Sequence, residues 1–399
     1  MNKSTYFSGQ PTFTQLLKFI PREVVSKVVS SHQADRYYKT FTTWHHLATM
    51  LFACFGQCTS LREVVTGMRA LEGRLLSSGL RHLPARSTFS NANERRSAEV
   101  FEEIYFAIRQ HWDEILPDSR AEGKNCYIID STVITLFQEI FKGSGTSYAD
   151  GRRKGGLKVH MAVPLNEPSP CVVHIGEGAD NDREFHKYLS LPPGSTVIMD
   201  RGYRSYPQYN LWTSMKIRWI TRLWESSHYV VRKEKKLKNK QRRLGIKKDR
   251  IIDLGYPQSK TENVKSRVIE YIDPLTNKHL KFLTNDFRSS PLTIAALYAK
   301  RWSIELLFKR LKQNMPLQFF LGDNQNAIKI QIWCALIADL LLQVLRRFVK
   351  RKWAFSNIVS LVRLHLFNYL DLIKFLENPE ACKINQERVT TQLKINLSG

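Results

Sequence analysis

Tyr298-Ala-Lys-Arg301-Trp302-Ser-Ile-Glu305-Leu-Leu-Phe-Lys-Arg-Leu-Lys312 is the stretch from which the rest of the chain can be read. It holds no Pro or Gly and is dominated by Leu, Ala, Lys, Arg and Glu, so it is predicted to form one unbroken helix. At about 100° per residue, Tyr298, Arg301, Glu305 and Lys312 share an arc of roughly 60°. Leu297, Ile304, Leu307, Phe308 and Leu311 fill an adjoining arc of about 100°. One face therefore packs, and beside it stand one acid, two bases and a phenol. A solvated face scatters its charges. A single carboxylate among cations is what a metal-and-phosphate site asks of a helix: an oxygen ligand for the ion, and cations for nearby phosphates. Taken alone, Glu305 is more simply half of a surface ion pair with Lys309 or Arg301. Trp302, about 40° off the line, is expected to pack beside it.

Two aspartates turn the balance. Asp130 lies inside the apolar, β-branched run Tyr127–Phe137, and Asp200 closes the short run from Ser195 to Met199. Both runs are predicted to be buried strands. An ionised carboxylate beside so much apolar surface is costly unless a cation or strong donors satisfy it. If the strands are neighbours, both acids emerge at one place, and Glu305 completes a set of three. Three carboxylates so placed can hold two divalent ions that activate the attacking oxygen and stabilise the leaving oxygen of a phosphodiester. Oxygen donors without a His or Cys cluster favour Mg²⁺, with Mn²⁺ as a substitute.

Asp130-Ser-Thr, Asp200-Arg-Gly-Tyr203 and the spaced set Tyr298, Arg301, Glu305, Lys312 together resemble the DDE transposases of the insertion-sequence-four family. The resemblance runs from about residue 5 to 350. It implies a ribonuclease H-like catalytic core, with Asp130, Asp200 and Glu305 as catalytic metal ligands. Tyr298, Arg301 and Lys312 would contact DNA phosphates near the cut. It also implies cut-and-paste chemistry: metal-activated water nicks the element's end, and the freed 3′-hydroxyl attacks the opposite strand to form a hairpin. The hairpin is opened, and the 3′-ends then attack target DNA. The partner is double-stranded DNA, both terminal inverted repeats and target, with the protein acting as a homodimer on it. In relatives an insertion-domain Trp stacks in place of a flipped base. Trp224 is the candidate here, although core packing accounts for Trp224 and Trp219 equally well.

The composition agrees with a polyanionic partner. The chain has 399 residues, 61 Lys and Arg against 36 Asp and Glu, and a formal charge of +25. The run Ile330–Leu345 is apolar but carries Gln331, Asp339 and Gln343, and reads as too short to span a membrane. The N-terminus has no signal pattern, so a cytoplasmic location is expected. Six scattered cysteines read as buried free thiols.

The expected fold is α/β: a ribonuclease H-like mixed sheet flanked by helices, with additions at each end. Residues 1–120 form an all-helical domain for DNA-end recognition, with Ser60-x-x-Glu63 as a capping box and a long helix from Ser87 to Ile115. Residues 121–224 and 288–350 form the core. A β-rich basic insertion, 225–287, separates its halves, and 351–399 is a helical, then flexible, tail. Within the core, Lys158 and His160 alternate on a strand face that points toward DNA or solvent, and Arg201 joins the DNA contacts. Asp182 is read as a helix cap rather than a fourth acid. The insertion's run from 233 to 250 holds ten Lys and Arg, including Lys235, Lys236, Arg242 and Arg243, and is expected to meet phosphates, a solvated and mobile segment being the plainer alternative. Two rivals remain open: a nuclease of the same core that only hydrolyses, and a domesticated, non-catalytic DNA-binding protein.

Overall fold

Among the described residues, seven α-helices precede the first strand: α1 (Thr12–Leu17), α2 (Arg22–Ser31), α3 (Thr43–Gly56), α4 (Leu61–Ala70), α5 (Glu72–Leu75), α6 (Arg86–Arg95) and α7 (Ala98–His111). The computed structural model describes residues 8–118, 125–135, 145–147, 153–178, 180–255 and 263–381. The single helix expected after Ser87 is two. Arg96 leaves the helix at ψ 128° so that its buried guanidinium can donate to the carbonyls of Phe41 and Thr42. Ser97 then caps α7 by accepting from the Glu99 N–H. The capping box is half met. Ser60 accepts from Glu63 N, while Glu63 reaches back to Thr59 instead of Ser60.

The strands are β1 (Cys126–Thr135), β2 (Gly145–Ser147), β3 (Arg153–Pro164), β4 (Val172–Glu177), β5 (Thr196–Met199), β6 (Arg218–Arg222), β7 (Tyr229–Glu234), β8 (Ile246–Leu254), β9 (Val264–Ile272) and β10 (His279–Thr284). They make one ten-stranded mixed sheet in the order β2-β3-β1-β5-β6-β10-β9-β8-β7, with β4 also on β3. β1 pairs antiparallel with β3 and parallel with β5, and β5 pairs parallel with β6. A short 3₁₀ helix (Asp182–Tyr188) and α8 (Tyr206–Ser214) make the crossovers.

The four strands of the 225–287 segment extend this sheet, because β10 pairs antiparallel with β6. The basic run is not a loose segment. It contributes the end of β7, then α9 (Asn239–Arg243), then the start of β8. Arg267 anchors the run from below. It is buried, makes a double-headed ion pair with Asp249, and donates to the Asp286 and Ser289 carbonyls.

The catalytic-helix candidate is broken in two, α10 (Pro291–Ala299) and α11 (Trp302–Asn314). Between them the N–H groups of Lys300, Arg301 and Ser303 bond three residues back, a tightening that re-aims the chain at Arg301. Next comes α12 (Gln325–Phe348), long and apolar enough to cross a membrane, so the expectation that it is too short fails on length. Burial decides instead: 94% of its most apolar window lies inside the protein. It packs on α3, α6, α7 and α11, and its side chains join the helical layer to the Ile128, Ile198 and Phe282 face of the sheet. The other face, with Ile129, Met199 and Trp219, is covered by Phe185 and by Tyr209 and Trp212 of α8.

The tail to residue 381 is docked through α13 (Phe355–Leu364) and α14 (Leu372–Glu377). Ser8, Thr12 and Phe13 donate backbone bonds to Tyr369, Asn368 and Leu366. The later tail, with Cys382, lies outside the described residues. Cys54, Cys58, Cys126, Cys171 and Cys334 are free thiols, and burial pushes Cys54 and Cys58 up to about 12.

Candidate active site

The β1–β5 register brings the two aspartates together. Ile129 stands opposite Met199 in parallel pairing, so Asp130 and Asp200 are the next residues on adjacent strands. Both alternate away from the Ile129–Met199 face and emerge on the side where Ile304, Leu307, Phe308 and Leu311 of α11 pack. Glu305 rises from that helix beside them.

One guanidinium ties the set. Arg301 Nη1 donates to Asp130 Oδ2 at 2.8 Å and Nη2 to Glu305 Oε1 at 2.5 Å. The break between α10 and α11 makes this possible, since it puts Arg301 at the entrance of α11 rather than along its flank. On the other side, the Tyr298 hydroxyl is 3.4 Å from Asp200 Oδ1, and Arg222 Nη2 is 3.6 Å from the same oxygen. Burial pushes the Asp130 carboxyl up to about 6. The Ser131 N–H and Arg301 pull it back, while Asp200 and Glu305 push the same way as burial. Among the described residues no three acids, imidazoles or thiols stand close enough together to form a ready metal cage, and the Arg301 guanidinium bridges Asp130 to Glu305. The donors themselves, three carboxylates with no thiol, suit a hard divalent ion.

Other residues singled out from the sequence fall differently. Lys312 lies on the same helix but donates to the Val133 carbonyl at 3.0 Å, beyond the acids. Lys158 and His160 do not lie on an exposed strand face. Lys158 pairs with Asp182 at 2.7 Å, and His160, 1% exposed, sits 3.0 Å from the Tyr203 hydroxyl. Burial drives the His160 imidazole down to about 4. The cap of the 3₁₀ helix is Asn181, which accepts from Arg183 N. Asp182 instead points into the site's back wall, contrary to its reading as a cap.

The two tryptophans separate cleanly. Trp219 is fully buried and stacked on Tyr209 at 4.2 Å. Trp224 is exposed, donates Nε1–H to the Arg201 carbonyl, and lies under the Arg201 and Arg204 guanidinia at 5.1 and 5.3 Å. Trp302 is 59% exposed rather than packed. Lys235 is half-buried and committed to the Phe287 carbonyl, whereas Lys236, Arg242 and Arg243 are exposed. Sequence reasoning missed Arg222, which no motif marks. Its signal was its place at the end of a strand parallel to the one that Asp200 closes.

Comparison with known proteins identifies the family. A family model described as the transposase DDE domain matches residues 121–341, and a domain of unknown function matches residues 8–81. A protein named as a transposase, y4zB, of Sinorhizobium fredii is 28% identical over 307 residues, 76% of this chain and 83% of its own. One named for insertion sequence element IS4SA of Synechocystis is 27% identical, over 71% of this chain and 78% of its own. The transposase for insertion sequence element IS231D of Bacillus thuringiensis is 23% identical, over 76% of each. A piggyBac transposase synaptic complex with hairpin DNA aligns over 95% of this chain and 83% of its own at 12% identity, with a TM-score of 0.40. The chain belongs to the transposase DDE family and is an enzyme of DNA transposition, of the kind encoded by insertion sequences.

Proposed function

We propose that this transposase cuts and pastes its element by successive in-line attacks at phosphorus, all in the site formed by Asp130, Asp200 and Glu305. The observation that carries the reading is the β1–β5 register, which sets an acid within β1 beside the acid that follows β5, under the helix bearing the third. Domains of this family use divalent metal ions, and these three carboxylates would hold two Mg²⁺, or Mn²⁺. Bound there, the ions activate the attacking oxygen and stabilise the leaving one. Arg301 holds Asp130 and Glu305 until DNA arrives, then turns its guanidinium to a phosphate, for which its fork geometry is suited. Tyr298 and Lys312 contact phosphates on either side.

In the first step a water oxygen attacks phosphorus and the 3′-oxygen of the element's end leaves. That 3′-hydroxyl then attacks phosphorus in the opposite strand, displacing the 3′-oxygen of the flanking DNA and closing a hairpin. A second water attacks the hairpin phosphorus and the element's 3′-oxygen leaves, and that 3′-hydroxyl finally attacks phosphorus in target DNA, displacing a target 3′-oxygen. The ribonuclease H-like reading of the core is supported by three antiparallel strands followed by two parallel ones, each reached through a helix.

End recognition is assigned to the helical region at 1–120. On α6, Arg86, Ser87, Thr88, Ser90, Asn91, Glu94 and Arg95 are exposed, while Phe89, Ala92 and Asn93 pack inward. Hydroxyls and an amide flanked by arginines suit base edges between two phosphate contacts. Two copies are taken to assemble on paired ends. The work is done on DNA, in the cytoplasm of a bacterial cell.

The test is a product analysis with purified protein, Mg²⁺ and DNA carrying the element's own ends. Nicked, hairpin and joined products are all expected, and hydrolysis without hairpin or joining would make the protein a nuclease. Trp224→Ala should keep nicking but lower hairpin yield several-fold or more, since a base stacked on an aromatic ring is worth about 1–3 kcal/mol. Its melting temperature should hold, whereas Trp219→Ala should cost about 3–5 kcal/mol. Nicking and hairpin formation falling together in Trp224→Ala would return that residue to packing.

A further inference from the structure

Asp182 lies behind the two aspartates and touches both segments that carry them. Its Oδ1 accepts from Lys158 Nζ at 2.7 Å and from Ser131 Oγ at 3.2 Å. Ser131 follows Asp130, and its N–H donates to Asp130 Oδ1 at 2.9 Å. The other oxygen faces Gly202, two residues after Asp200, where an added Cβ would stand only 2.8 Å away. Real side chains do not approach so closely. The glycine of the Asp200-Arg-Gly-Tyr203 turn therefore leaves the space that the Asp182 carboxylate fills.

The rest of the wall holds Asp182 still. Lys158 is tethered a second time, to the Asp180 carbonyl at 2.9 Å. His160 stands opposite Ser131 in the β1–β3 register and meets the Tyr203 hydroxyl, which is also bonded to the Ser131 side chain. Two strands, β1 and β3, and the Asp200 turn thus converge on one carboxylate that the chemistry proposed above does not use.

We propose that Asp182 is a positioning residue that fixes the spacing and orientation of Asp130 and Asp200, as the outer partner of the acids that hold the ions. The proposal rests on the metal-dependent reading of the site. Outer partners of metal-ligating carboxylates set the direction of the ligand oxygens, and losing one costs about 10–100-fold in metal affinity.

The experiment is a Mn²⁺ titration of the free protein by electron paramagnetic resonance, beside the Mn²⁺ dependence of nicking on end DNA. Asp182→Ala should weaken Mn²⁺ binding about 10–100-fold and raise the nicking midpoint by the same factor, with the rate recovered at saturating Mn²⁺. Asp182→Asn keeps an acceptor for Ser131 and should restore most of the loss. Gly202→Ala pushes Asp182 aside without changing any charge. It should reproduce the shift while end binding and melting temperature hold, and it carries the comparison if Asp182→Ala does not fold. Wild-type Mn²⁺ binding in Gly202→Ala or Asp182→Ala would overturn the proposal. So would an Asp182→Asn protein as impaired as the alanine variant, since that would make the charge itself a ligand. A wild-type protein that neither binds Mn²⁺ nor cuts its ends would refute the metal-dependent reading instead.

Discussion

Asp130 stands between opposing demands: burial within a strand disfavours its charge, and the ligand role proposed for it requires that charge. The sequence displayed this tension as an acid inside an apolar strand and a second acid, Asp200, closing another; Glu305 was read from its place among the cations of a helix, once those two aspartates were in view. Arg222, Asp182 and the fate of Lys158 were not. Their positions depend on which strands become neighbours, and alternation along one strand cannot tell a back wall from a surface.

A pH dependence follows. With the Asp130 carboxyl raised from 3.8 to about 6, protonation favours the folded, metal-free state. That contribution is complete below about pH 4 and is lost as pH rises through about 6. Without metal, the wild-type melting temperature should fall over that window more than that of Asp130→Asn. Because an ion needs the ionised acid, the rise in melting temperature on adding Mn²⁺ should grow over the same window in wild type only. Identical profiles for the two proteins would contradict this.

At the scale of elements, the helices of the N-terminal region were expected as a class, and the described residues 8–118 are helical with no strand among them. They were misread where a side chain draws the backbone out of line. Arg96 ends α6 to reach two carbonyls, and the tight turn at Lys300 and Arg301 splits the signature helix. The strands β7 and β8 were hidden by charge. In β7 most side chains face solvent at the sheet's edge, so there is little apolar alternation to see. The short helix between them and the residues leading into it gather exposed cations: Lys236, Lys238, Lys240, Arg242 and Arg243 have no acid in ion-pair range among the described residues. Replacing all five by Gln should flatten the dependence of log affinity on log salt for duplex DNA, by roughly 0.9 for each phosphate no longer neutralised. An unchanged slope would mean that this helix faces solvent and meets no DNA.

At the scale of the molecule, the chain's formal charge of +25 suits the DNA binding proposed above, and the three carboxylates suit the proposed chemistry. These can be separated. The insertion does not hang beside the core; its strands extend the core's sheet, and Arg267 ties them to the loop that leads into α10. The helix bearing Glu305, α11, packs on β1, α12 and α13, and α10 just before it packs on β6 and on the insertion's β8. Substituting the one acid of α11 should spare the fold. Glu305→Gln keeps the size of the side chain and removes the charge that holds an ion. The loss of several kcal/mol of transition-state stabilisation is on the order of a thousandfold in rate. The most direct measurement compares wild type and Glu305→Gln on end DNA with Mg²⁺, scoring binding, nicking, hairpin formation and joining in one reaction. The account predicts unchanged end binding with all three chemical steps lost together; a Glu305→Gln protein that still cuts and joins would contradict it.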